Sequence, residues 1–96
     1  MNILIAEDDI HLGQGLTALL EHEGYDCTLT KNGSEAYKAY KEQRPDFCIF
    51  DVMMPEMDGF ELCRLVRSVD ETIPIILLTA KGDEIDRVIG LELGAD

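Results

Sequence analysis

Phe47-Cys48-Ile49-Phe50-Asp51-Val52-Met53-Met54-Pro55-Glu56-Met57-Asp58-Gly59 is a short apolar run that ends in a carboxylate and passes into a loop punctuated by Pro55 and Gly59. Four apolar residues, Phe47 to Phe50, have the length of a buried strand. Just upstream, Arg44-Pro45-Asp46 ends a preceding helix, because proline cannot continue one and biases the residue before it toward an extended conformation. The stretch therefore reads as helix, strand, acidic strand end and loop.

The same alternation repeats on both sides. Asn2-Ile-Leu-Ile-Ala6, Tyr25 to Thr30 and Ile75-Ile-Leu-Leu-Thr79 are further strand-length runs. Between the first two, Leu12, Leu16, Leu19 and Leu20 form a helical stripe that Gly24 stops. Asn32-Gly33-Ser34 supplies a turn and an N-cap for a helix to about Gln43. Asp58 caps a third helix whose buried face is Leu62, Leu65, Val66 and Val69, and Ile85, Val88, Ile89 and Leu93 predict a fourth. The order is βαβαβαβα. Strands joined by helix-length crossovers run parallel, and right-handed crossovers put helices on both faces, giving a doubly wound α/β sheet of four strands and four helices.

Length, composition and charge bound the function. Ninety-six residues fit one domain, 1–96, with 46% hydrophobic and 29% charged residues. No apolar run approaches the roughly 20 residues that span a bilayer, and Met1-Asn-Ile-Leu-Ile5 lacks the basic start and long apolar stretch of a secretory signal. A cytoplasmic protein with no membrane partner is expected. The net charge of −12 repels a phosphate backbone, so this segment is not expected to bind nucleic acid. Cys27, Cys48 and Cys63 have no metal-like spacing and lie in apolar stretches, so they read as reduced core or near-core residues. His11 and His22 have no second histidine at ligand spacing.

In doubly wound sheets ligands bind at the carboxyl ends of the strands. The residues there are Glu7, Asp8 and Asp9 after strand one, Asp51 after strand three and Thr79 on strand four. If strands one and three are neighbours, Asp8 and Asp51 share a pocket with Glu7 or Asp9 beside them. Like charges at that range call for a cation. Mg²⁺ takes octahedral oxygen ligation and suits carboxylates, a backbone carbonyl and a phosphoryl oxygen. A carboxylate facing a phosphoryl donor can then act as nucleophile and become an aspartyl phosphate, with the Thr79 hydroxyl placed to donate to it. Each residue also has a plainer use. Asp51 suits a turn after a strand, Asp8 and Asp9 suit a helix cap, and Thr79 favours strands.

Ile5-Ala-Glu7-Asp8-Asp9, Phe50-Asp51-Val-Met-Met-Pro55-Glu-Met-Asp-Gly59-Phe-Glu, Pro74-Ile-Ile-Leu-Leu-Thr79-Ala80 and Gly90-Leu-Glu-Leu-Gly94-Ala-Asp96, in that order, resemble the receiver domain of two-component response regulators, most closely receivers joined to a winged-helix DNA-binding domain. The resemblance covers the whole chain. It implies the flavodoxin-like strand order, with Asp51 as phosphoacceptor, Asp8 as direct Mg²⁺ ligand and Glu7 reaching the metal through water. It further implies that the Met53 main-chain carbonyl completes the metal site, that Thr79 supplies the switch hydroxyl, and that a sensor histidine kinase is the phosphoryl donor. Such a switch is not an enzyme in the usual sense.

The family continues past its Gly-Ala-Asp segment with a fifth strand, a lysine followed by proline, and a fifth helix, none of which lies within these residues. Lys81 falls in a loop after strand four and is expected to be solvated rather than a replacement. Without the fifth strand, strand four becomes an apolar edge, so self-association through that edge and the fourth helix is expected.

Two other functions fit a similar sheet less well. A Mg²⁺-dependent aspartyl-phosphate phosphohydrolase generally uses a second aspartate two residues after the nucleophile, where this sequence has Met53. A flavin carrier needs a phosphate-binding loop after strand one, where Glu7-Asp8-Asp9 would repel the phosphate.

Overall fold

The structure, a computed structural model, describes residues 1–80 and 87–92, with residues 79–80 and 87–92 described through their backbone. Strand β1 is Asn2–Ala6, followed by helix α1, Ile10–His22, and strand β2, Asp26–Thr30. Helix α2, Gly33–Gln43, leads to β3, Phe47–Asp51, and α3, Gly59–Arg67, leads to β4, Ile75–Ala80, and β5, Arg87–Glu92. The sheet order is β2-β1-β3-β4-β5. The first four strands are mutually parallel, as the crossovers predict, and their order is the flavodoxin-like one that the resemblance implies.

Local chemistry sets the helix ends. The Asp9 carboxylate accepts from the N–H groups of His11 and Leu12 and starts α1, which ends before Gly24 at φ 97°. The Asn32 side chain accepts from the Glu35 N–H at 2.8 Å to start α2. That helix stops at Arg44, which takes a left-handed conformation before Pro45. Asp58 and Glu61 form a reciprocal capping box at the start of α3.

Strand alternation splits the core in two. Leu4, Ala6, Cys48, Phe50, Ile75 and Leu77 meet the faces of α2 and α3 that carry Ala36, Ala39, Tyr40, Leu62, Cys63 and Val66. Ile3, Ile5 and Ile49 pack on the other side against Leu16 and Leu20 of α1. The leucine stripe of α1 is therefore narrower than expected. Leu12 and Leu19 are 44% and 63% exposed, while Gly13, close against Leu29, lies on the buried side of the helix and Leu16 and Leu20 pack on the sheet. Val69 is likewise exposed at 57%, since α3 ends at Arg67 and the chain has left the helical path by then.

The fourth helix is corrected. Residues 87–92 form a strand antiparallel to β4, with Leu77 opposite Gly90 and Thr79 opposite Val88; Ile85 and Leu93 lie outside the described residues. The helical spacing of the apolar residues competes there with β-branched Val88 and Ile89 and with Gly90, a weak helix former. Pairing wins because β4 would otherwise leave a row of backbone groups unsatisfied. The expectation that β4 is a free edge is corrected with it: β4 has β3 on one side and β5 on the other.

No described helix is long and apolar enough to cross a membrane. The three cysteines form no disulfide, Cys48 and Cys63 being buried and Cys27 half-buried. Burial pushes the Cys48 thiol up to about 12, so it remains protonated and unreactive at neutral pH.

Candidate functional site

The sheet order makes β1 and β3 neighbours, with Ala6 beside Phe50, so the acids that follow them meet at one rim. Glu7 and Asp51 are each only 2% exposed, whereas Asp8 is exposed. One carboxylate oxygen from each of Glu7, Asp8 and Asp51 lies within 4.8 Å of the others. Sequence spacing could not say whether Glu7 or Asp9 joins the other two. The structure brings Glu7 in.

Asp9 has a different task. Its side chain caps α1, and its N–H donates to Glu7 Oε2 at 3.1 Å. Glu7 is held from the other side too, since its own N–H donates to the Thr30 carbonyl at 3.0 Å. Thr30 in turn donates through Oγ1 to the Ile5 carbonyl at 2.9 Å, tying β2 to β1 directly below the site. Thr30 was not among the residues singled out from sequence. A threonine at a strand end carries no signal until its neighbour strand is known.

The loop after Asp51 is closed by its own backbone. The Val52 N–H donates to the Leu78 carbonyl at 2.9 Å, and the Val52 carbonyl accepts from Met54 and Gly59. The Met53 N–H points back at Asp51 Oδ1, at 3.4 Å, while the Met53 side chain is 68% exposed. Met54 is buried in the core and pins the loop from below. Its sequence signal was weak, because Val52, Met53 and Met57 of the same loop are apolar as well. Thr79 sits on β4 one residue beyond Leu78, the register partner of Asp51; its side chain and Lys81 lie outside the described residues.

Three carboxylates this close, two of them buried, repel one another and offer only hard oxygen donors. That donor set fits a divalent cation such as Mg²⁺ and fits no soft metal. A shallow cavity of about 200 Å³ opens beside them, lined by Glu7, Asp8, Ile10, Leu29, Thr30, Lys31 and Glu35. A larger depression of about 420 Å³ runs along α3 between Glu56, Met57, Glu61, Arg64 and Leu65, and none of the three carboxylates lines it.

The family model for the response regulator receiver domain matches residues 3–96. This chain belongs to the response regulator receiver family. The receiver is 46% identical over 94 residues to the DNA-binding response regulator MtrA of Mycolicibacterium smegmatis, a match covering 98% of this chain and 41% of that protein. It is 43% identical to the alkaline phosphatase synthesis transcriptional regulatory protein PhoP of Bacillus subtilis, over 98% of this chain and 39% of PhoP. The chain thus spans about two fifths of the length of these curated relatives.

Solved receivers share its fold. The BeF3-activated receiver domain of Klebsiella pneumoniae RstA superposes with a TM-score of 0.79 at 32% identity, covering 86% of this chain and 71% of that one. The response regulator TrrA of Thermotoga maritima, solved in complex with Mg²⁺ and BeF, gives a TM-score of 0.80 at 33% identity, over 84% of this receiver and 70% of TrrA.

Proposed function

We propose that this receiver accepts a phosphoryl group on Asp51 from the phosphohistidine of a sensor histidine kinase and so switches an output. The observation that carries the reading is the cluster of Glu7, Asp8 and Asp51 at the carboxyl ends of two neighbouring parallel strands. In the transfer, an Asp51 carboxylate oxygen attacks phosphorus. The P–N bond breaks with its electron pair going to the imidazole of the kinase histidine, and an acyl phosphate remains on Asp51.

Asp8 and Asp51 would hold Mg²⁺ directly together with the Met53 main-chain carbonyl, and Glu7 through water. The ion when bound supplies positive charge to the oxygens of the transferring group. Glu7, gripped by the Asp9 and Thr30 backbones, is held in place at the floor of the site. Thr79 would answer the new phosphoryl group through its hydroxyl, shifting the surface beyond β4.

The relatives' names point to DNA binding and transcription as the output, and the resemblance to receivers joined to a winged-helix domain gives the kind of domain that would carry it. The reading makes the chain a cytoplasmic signalling switch rather than an enzyme. Met53, with no proton to offer two residues after the acceptor, speaks against phosphohydrolase chemistry. Binding of nucleic acid by this segment runs against its net charge of −12. Self-association through a sheet edge would fall to β2 or β5 rather than β4.

The test is a beryllofluoride titration in the presence of Mg²⁺, followed by ¹⁹F NMR. A bound fluoride resonance that appears in the wild type and is lost in Asp51→Asn and Asp8→Asn supports the reading. A resonance unchanged in Asp51→Asn overturns it.

A further inference from the structure

Gly33, the first residue of α2, is buried, and its lack of a side chain is used by the loop that follows Asp51. A Cβ placed on Gly33 would lie 2.6 Å from Met57 Sδ and 2.9 Å from both Met57 Cγ and Met57 Cβ. A flexible thioether end can move aside. The Met57 Cβ cannot, because it is fixed to the backbone, so no rotamer of Met57 relieves the clash and the loop or the start of α2 has to shift. Met57 is half-buried and packs on the core beneath α2 and α3.

The loop between the two methionines at positions 53 and 57 has little slack. Met54 is anchored in the core, Pro55 fixes its own φ, and the Met57 N–H donates to the Pro55 carbonyl at 2.7 Å. Glu56 is held at φ 71°, a conformation that side chains rarely adopt. Gly59 closes the loop on the Val52 carbonyl at 3.0 Å. A displacement at Met57 therefore strains a short, tied loop that also carries Met53, with no flexible segment between them.

We propose that Met57, seated against the bare face of Gly33, is a positioning residue for the cation site: it holds the β3–α3 loop so that the Met53 carbonyl faces Asp8 and Asp51. This rests on the cation reading given under Proposed function. Met57 touches neither cation nor phosphoryl group; it acts through the backbone of its loop.

The experiment is a Mg²⁺ titration of the full chain followed by the amide shifts of Val52 and Met53, on wild type, Gly33→Ala, Met57→Ala, Met57→Gly, Gly33→Ala/Met57→Gly, Tyr40→Phe and Asp8→Asn. Gly33→Ala and Met57→Ala are each expected to weaken Mg²⁺ binding by about tenfold, the lower end for groups that orient ligands from outside the first shell. On the Met57→Gly background, Gly33→Ala should cost no further affinity, because the side chain it would push is gone. Tyr40→Phe removes the hydrogen bond to Asp70 before β4; it should lower stability and leave Mg²⁺ affinity unchanged.

If Gly33→Ala does not fold, Met57→Ala decides alone. Wild-type affinity in folded Gly33→Ala or Met57→Ala, with Asp8→Asn impaired, overturns the positioning role and spares the cation reading. A wild type that does not bind Mg²⁺, or an Asp8→Asn that binds equally well, overturns the cation reading itself.

Discussion

Gly59 lies against the backbone of Asp51 so closely that a Cβ there would stand 2.5 Å from the Asp51 carbonyl oxygen and 2.9 Å from the Val52 Cα. The start of α3 is thereby packed directly on the strand end that presents the acceptor carboxylate. Neither contact is with a side chain, so neither can be relieved by a rotamer. Gly59→Ala is expected to destabilise the fold by about 1–3 kcal/mol, the usual cost of overpacking. Urea unfolding of the two proteins measures it, and equal midpoints would show that the α3 start shifts freely.

Asp8 and Asp9 are adjacent acids with separate work, one at the carboxylate cluster and one capping α1. Asp9→Ala should lower stability by about 1 kcal/mol, as the loss of an N-cap does, with Mg²⁺ affinity little changed. Asp8→Asn should do the reverse, abolishing Mg²⁺ binding while holding or raising stability, because one of three crowded charges is removed. Chemical unfolding paired with a Mg²⁺ titration separates the two effects.

Glu56 stands at φ 71° in the loop after Asp51. Glycine takes that conformation without a Cβ penalty, although it gives up more chain entropy on folding. Glu56→Gly is therefore expected to stabilise the protein by about 0.5–1 kcal/mol. A lower unfolding midpoint in the variant would show that the Glu56 side chain makes up for the backbone strain.

Asp70 ties α2 to the loop between α3 and β4. Its Oδ1 accepts from the N–H groups of Thr72 and Ile73, and its Oδ2 accepts from the Tyr40 hydroxyl. Partial burial acts to raise its pKa, but these bonds, with that from the Thr72 hydroxyl, prevail and hold it below the ordinary value. A carboxyl with a depressed folded-state pKa contributes stability that is present above its unfolded value, about 4, and is lost as pH falls through the folded value. Asp70→Asn should therefore flatten the acid side of the stability profile below about pH 4. An unchanged slope from pH 5 downward would exclude Asp70 as a contributor.

The sequence made the alternating frame legible because each early element carries two agreeing signals, an apolar run of the right length and a stop or cap such as Asn32, Pro45 or Asp58. It made Asp8 and Asp51 legible because the strand-end rule needs only the element order. Residues 87–92 were not legible in the same way. Val88 and Ile89 suit a helix by spacing and a strand by their branching, and the choice rests on the open side of β4, a partner distant in sequence. The role of Met57 was hidden for a similar reason, since Gly33 and Met57 meet only once α2 and the β3–α3 loop are side by side.

The most direct test of the central claim is intact mass after incubation with Mg²⁺ and acetyl phosphate, comparing wild type with Asp51→Asn and with a chelator control. The account predicts that the wild type gains one phosphoryl group only when Mg²⁺ is present, and that Asp51→Asn gains none. An equal gain in both proteins, or no gain in the wild type, would contradict Asp51 as the acceptor at this carboxylate cluster.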